Sequence, residues 1–166
     1  MVFERPDGES EQLMEAWREF LGAQCFNAWG TCTFRVPARS GKAALRRAGS
    51  LIRRYCRRHD VAPWFFMVAE PFKLGCYHVH FMLWSWRDKE KSQEFLRGLE
   101  QHLETAAGYA RVRVIDDRVG QLRGYVGKYL TKLNPEFCFV GKKPMDLKGV
   151  DDRGEWSSSS SDGKNF

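Results

Sequence analysis

Apolar positions along the chain recur with two different periods, and their alternation predicts a string of helices and strands. Asp7 or Ser10 can open a first helix, in which Leu13, Trp17, Phe20 and Leu21 fall on one apolar stripe before Gly22 ends it. The stretch Phe26 to Val36 (FNAWGTCTFRV) is rich in aromatic, Thr and Val residues and is bounded by Pro37, which predicts a strand. Ser40 then caps a long helix over about 40–59, with Ala44, Ala48, Leu51, Ile52 and Tyr55 on its buried side. Two strands follow, over about 63–70 and 76–86, and PFKLG between them suits a tight hairpin connection. Asp88 opens another helix to about residue 107, with Phe95, Leu96, Leu99, Leu103 and Ala106 facing inward, and ARVRVID continues as a short alternating strand.

A last helix is predicted from about Asp117 to Leu133. From Asn134 onward Pro, Gly, Lys and Asp increase, and the chain finishes EWSSSSSDGKNF, too polar to pack. The expected organisation is one domain over 1–150 followed by a flexible polar tail over 151–166. After the first helix the order is β-α-β-β-α-β plus one helix: an α+β, ferredoxin-like antiparallel sheet with helices packed against it, an order shared with the RRM. Fold alone does not decide function.

Composition narrows the class. At 166 residues, with 43% hydrophobic and 14% aromatic residues, the chain can bury a real core. No apolar run approaches the ~20 residues that span a bilayer. MVFERPDGES has neither the charged start nor the apolar stretch of a signal peptide, so a soluble cytoplasmic protein without a membrane partner is expected. Five scattered cysteines without a C-x-x-C pair argue against a disulfide framework and a zinc finger. The net charge of +6 is moderate, but its distribution is uneven. Arg39, Lys42, Arg46, Arg47, Arg53, Arg54, Arg57 and Arg58 crowd the predicted helix and its start, a stretch that holds no acidic residue. A solvated helix face explains part of this; without Glu or Asp partners, however, such a face repels itself unless phosphates compensate.

Two constellations carry candidate chemistry. In the apolar strand CYHVHFMLW, alternation sends His78 and His80 to one face and Val79, Phe81 and Leu83 to the other. A lone His-x-His is explained as well by packing as by ligation. Glu70, however, closes the preceding strand eight residues before His78, and a hairpin through PFKLG would bring its carboxylate beside the pair. Two imidazoles and a carboxylate without thiolates suit Mg²⁺ or Mn²⁺, or a transition metal with exchangeable ligands.

The second constellation lies in the last predicted helix. Tyr125, Lys128, Tyr129 and Lys132 share an arc of roughly 100°, beside an apolar face of Val119, Leu122, Val126, Leu130 and Leu133. Two phenols and two ammonium groups on one stripe suit a phosphodiester, because nearby positive charge favours the nucleophilic phenolate. Tyrosines at i,i+4 are also a common packing pair.

Together these motifs resemble the HUH endonuclease superfamily, specifically rolling-circle replication initiators and those of small single-stranded DNA phages. The first motif corresponds to Thr31-Cys32-Thr33-Phe34, the second to His78-Val79-His80 and the third to Tyr125-Val126-Gly127-Lys128-Tyr129, over about residues 26–133. The doubled tyrosine is similar to the two-tyrosine phage pattern. The resemblance implies that His78, His80 and Glu70 hold a divalent cation against a scissile phosphate. It further implies that Tyr125 cuts single-stranded DNA or an origin hairpin, leaving a 5′-phosphotyrosine and a priming 3′-hydroxyl, that Tyr129 performs a second transfer, and that Lys128 assists.

Arg46, Arg47, Arg53, Arg54 and Lys132 are the expected phosphate contacts, and Trp29, Trp64, Trp84 or Trp86 could stack bases, although tryptophans of this kind are more often core. No helicase region follows the third motif, so a partner helicase and a polymerase are expected. Two other readings stay open: a transposase using the same cut-and-join chemistry, and a noncatalytic RRM-like RNA-binding module, against which the strand CYHVHFMLW counts because it lacks the RNP pattern.

Overall fold

The computed structural model describes residues 7–24, 26–72, 75–85, 89–115 and 136–141. In chain order the elements are α1 (Asp7–Gly22), β1 (Ala28–Phe34), α2 (Gly41–Arg58), β2 (Trp64–Phe72), β3 (Cys76–Leu83), α3 (Lys89–Ala106), β4 (Gly108–Val114) and β5 (Glu136–Gly141). The expected helix over 117–133, with Tyr125, Lys128, Tyr129 and Lys132, lies outside the described residues, as does the 151–166 segment.

All strand pairings are antiparallel, in the order β4-β1-β3-β2-β5. The first four strands have the split arrangement expected from β-α-β-β-α-β, and the α+β class holds. The sheet carries one strand more than expected. EFCFVG adds to the outer edge of β2, where Phe137 and Phe139 face one side and Cys138 and Val140 the other. The polar composition from Asn134 onward therefore does not hold for these six residues: two aromatic rings give them enough apolar surface to pack.

The hairpin is also longer than expected, because β2 continues through Pro71 and Phe72. Proline is tolerated there since β5 pairs only as far as Ala69, leaving that side of Pro71 without a ladder partner that its missing N–H would have to serve. Gly75, at φ +73, starts the return strand.

Alternation gives the sheet two distinct faces. On one, Cys32, Phe65, Met67, Val79, Phe81, Leu83 and Val112 form the main core with α2 and α3. Helix α2 starts where Ser40 accepts a hydrogen bond from the Ala43 N–H, and it buries Ala44, Ala48, Ile52 and Tyr55 as its periodicity requires, with Leu51 half-buried. Helix α3 buries Phe95, Leu96, Leu99 and Leu103; Ala106 is exposed and Ala107 is the buried residue of the last turn.

Helix α1 lies over the other face, where Trp17 meets Phe66 and Phe137 and Leu21 closes a smaller cluster with Phe26, Val68, Met82 and Ile115. Of its expected stripe, Leu13 and Phe20 remain exposed. Trp64 is stacked between Phe26 and Phe139, and Trp29 and Trp84 pack against the clusters; Trp86 lies outside the described residues. Cys32 and Cys56 are free, buried thiols, pushed by burial to about 12 and about 11.

Close packing at the centre of the sheet depends on Gly30. A Cβ there would stand 2.5 Å from the Phe81 ring and 2.6 Å from the Arg111 carbonyl oxygen, and the latter is backbone that cannot swing aside. Gly30→Ala is expected to cost ~1–3 kcal/mol, read as a lower urea midpoint; an unchanged midpoint would show that β1 and β4 are less tightly apposed than described.

Candidate metal centre

The candidate centre grows from the period of β3. Because Val79, Phe81 and Leu83 are committed to the main core, His78 and His80 stand on the opposite face. The antiparallel register places Glu70 of β2 directly across from His78. One carboxylate oxygen, Glu70 Oε2, lies 3.2 Å from His78 Nε2 and 2.9 Å from His80 Nε2. The His78 and His80 ring centroids are 5.0 Å apart, and the Phe72 ring lies 5.1 Å from His78. His80 is buried, whereas His78 and Glu70 are half-buried, so the cluster opens to solvent on one side.

This geometry fits a metal ion. The three ligand atoms lie within 4.8 Å of one another, and among the described residues this is the sole such cluster of three. Two donors each ~2.1 Å from one ion and roughly at right angles are ~3.0 Å apart, close to both separations seen. With Nε2 protonated, the rings donate to the carboxylate; with the proton on Nδ1, the same three atoms offer lone pairs to one cation. Burial lowers the His78 pKa below the ordinary imidazole range, favouring the neutral, ligating ring. Nitrogen and oxygen donors without thiolate leave coordination positions for substrate oxygens.

The described triad lies within residues 27–134, the span matched by the family model for replication-associated protein ORF2. That span is well over half of the chain. The chain belongs to this family of replication-associated proteins. No curated protein and no solved structure gives a match. Family membership makes the chain a replication protein that engages DNA. No helix among the described residues is long and apolar enough to cross a membrane.

The other expected contacts of this replication-associated protein are not gathered at the triad. Helix α2 packs on the opposite face, so Arg46 and Arg53 lie across the sheet from Glu70, His78 and His80, lining a groove between α2 and β5. Arg47 donates to the Val36 carbonyl at 2.7 Å and sits 4.4 Å over the Phe34 ring, a packing role. Arg54 is close enough to His102 of α3 to disfavour its protonation. Lys132, Tyr125, Lys128 and Tyr129 lie outside the described residues.

Sequence reasoning passed over the residues that share the triad's face. Thr33 pairs with His78 and with Tyr109, and Thr31 with His80 and with Arg111, extending the triad's face across β1 to exposed side chains of β4. The alternation of ARVRVID carried that signal, since Tyr109 and Arg111 occupy the positions on either side of its buried Ala110 and before Val112.

Calorimetry with Mn²⁺ is expected to find one site, weakened in Glu70→Gln by more than the ~10–100-fold typical of losing an outer partner of a metal ligand. Protons compete for His78, so affinity should hold above pH ~6.5 and fall on the acid side of that value, its burial having lowered the point at which the ring charges. Unchanged affinity in Glu70→Gln, or tighter binding in acid, would contradict this site.

Proposed function

We propose that the protein is a metal-dependent endonuclease and strand transferase of the HUH two-tyrosine type, which nicks single-stranded DNA at an origin and so initiates rolling-circle replication. The observation that carries this reading is the convergence of Glu70, His78 and His80 on one face of the sheet in a replication-associated protein. A noncatalytic RNA-binding module of the same strand order uses its open face for aromatic stacking, and here a ligand set occupies that surface.

Glu70, His78 and His80 would hold Mg²⁺ or Mn²⁺. A divalent ion there supplies Lewis acidity, polarising a phosphodiester oxygen and orienting the phosphorus for in-line attack. Tyr125, deprotonated, attacks the phosphorus; the bond to the 3′-oxygen breaks, leaving a 5′-phosphotyrosine and a 3′-hydroxyl that primes a polymerase. Lys128, one turn away on the proposed helix, stabilises the charge on the transferring phosphate. Because the phosphodiester is conserved in the tyrosyl ester, Tyr129 can accept a second strand and permit resealing. Lys132 extends the same basic stripe along the departing strand, and unwinding is the task of a partner helicase.

The test is a panel of end-labelled single-stranded oligonucleotides and hairpin loops incubated with Mn²⁺, followed by denaturing gels and peptide mass spectrometry. A metal-dependent covalent adduct on Tyr125 is expected, abolished by Tyr125→Phe and retained for the first cut by Tyr129→Phe. Cleavage without any tyrosyl adduct, or persistence of the adduct in Tyr125→Phe, would contradict the assignment.

A further inference from the structure

Helix α2 holds a dense charge that the nicking chemistry does not use. Lys42, Arg46, Arg53 and Arg57 are all exposed, and at 100° per residue they fall within an arc of about 60°. Fifteen residues separate the first from the last, so the stripe is ~22 Å long. Among the described residues none of these four cations makes an ion pair, and Glu136 is the single acidic residue lining the adjoining groove. That groove, about 610 Å³, runs between α2 and β5 over a floor of Leu45, Met67 and Val140. Its cations cannot reach a phosphate held at Glu70, His78 and His80, because the sheet and the main core stand between them.

We infer that the α2 stripe is a second nucleic-acid surface, which grips the backbone of duplex DNA while the opposite face handles the strand to be cut. The inference rests on the nuclease reading for the role of the opposite face and on charge complementarity for its own. Duplex is favoured over a single strand by what the groove lacks. Binding of unpaired bases relies on exposed aromatic platforms. The exposed rings of Phe72 and Tyr109 belong to the triad face, and those of Phe137 and Phe139, although they border the groove, pack towards Trp17, Phe20 and Phe66 on that same far face. The stripe thus offers positive charge with no stacking surface, suited to phosphates alone, and its length can meet backbone on both sides of a major groove ~12 Å wide. Arg47 does not belong to it, being engaged with Val36 and Phe34.

The experiment follows binding of a fluorescent duplex of about 20 base pairs by anisotropy in metal-free buffer across a salt series. Each phosphate contact contributes about −0.9 to the slope of log K against log salt. The triple variant Arg46→Gln, Arg53→Gln, Arg57→Gln should therefore flatten the slope by about 2.7, while Arg47→Gln keeps it. Thermal unfolding of both variants establishes that they are folded. A short unlabelled single strand should fail to displace the duplex. A slope unchanged in the triple variant, full displacement by the single strand, or no duplex binding by the native protein would overturn the inference; the last result would point to an acidic protein partner for the stripe. Because no metal or cutting is involved, a failed nuclease assay with duplex binding intact would count against the nicking reading alone.

Discussion

A strand can serve two environments only if its side chains alternate, and in β3 that requirement binds the core to the site. Val79, Phe81 and Leu83 pack beneath α2 and α3, and the same geometry turns His78 and His80 to the other face. A slip of one residue would thrust both imidazoles into the apolar core, where an unpaired polar group costs several kcal/mol, and would expose the residues that hold the helices. The register with β2 is under the same constraint, since Met67 and Ala69 belong to that core and Glu70, next along, must then face the histidines. Packing energy thus holds three ligand atoms in place without any dedicated loop, and the donors sit on the central part of a five-stranded sheet.

The same division of faces separates two kinds of surface. One carries the acidic and imidazole donors, with hydroxyl, phenol and guanidinium groups from Thr31, Thr33, Tyr109 and Arg111 extending across β1 and β4. The other carries α2 with its unopposed cations. An initiator has to recognise a region of DNA and cut one strand within it, and a single sheet with different chemistry on each side is suited to holding both at once. Helix α1 covers only the β2 and β5 portion of the triad face, over Phe66, Phe137 and Phe139.

Much of this architecture is legible in the sequence, and where it is not the reason is physical. Long periodic segments such as α2 and α3 read correctly because their apolar stripes meet a continuous core. The hairpin partner of His78 also reads correctly, since turn residues and alternation together restrict the register. Strand β5 does not: the six residues Glu136–Gly141 are too few for a strong period, and their apolar character is visible only once Trp17, Phe66 and Trp64 supply surfaces to meet. The role of Arg47 is equally hidden, because its partners, the Val36 carbonyl and the Phe34 ring, are brought to it by the fold. Nor can charge alone reveal which face of a sheet a basic helix will occupy; that follows from which alternating set is apolar on every strand together.

The central claim is that Glu70, His78 and His80 ligate one divalent ion, and pulsed electron paramagnetic resonance of the Mn²⁺-loaded protein tests it most directly. Hyperfine couplings from two imidazole nitrogens are predicted in the native chain, reduced to one in His78→Ala. A spectrum without nitrogen coupling, or one unaltered by replacing either histidine, would contradict the account.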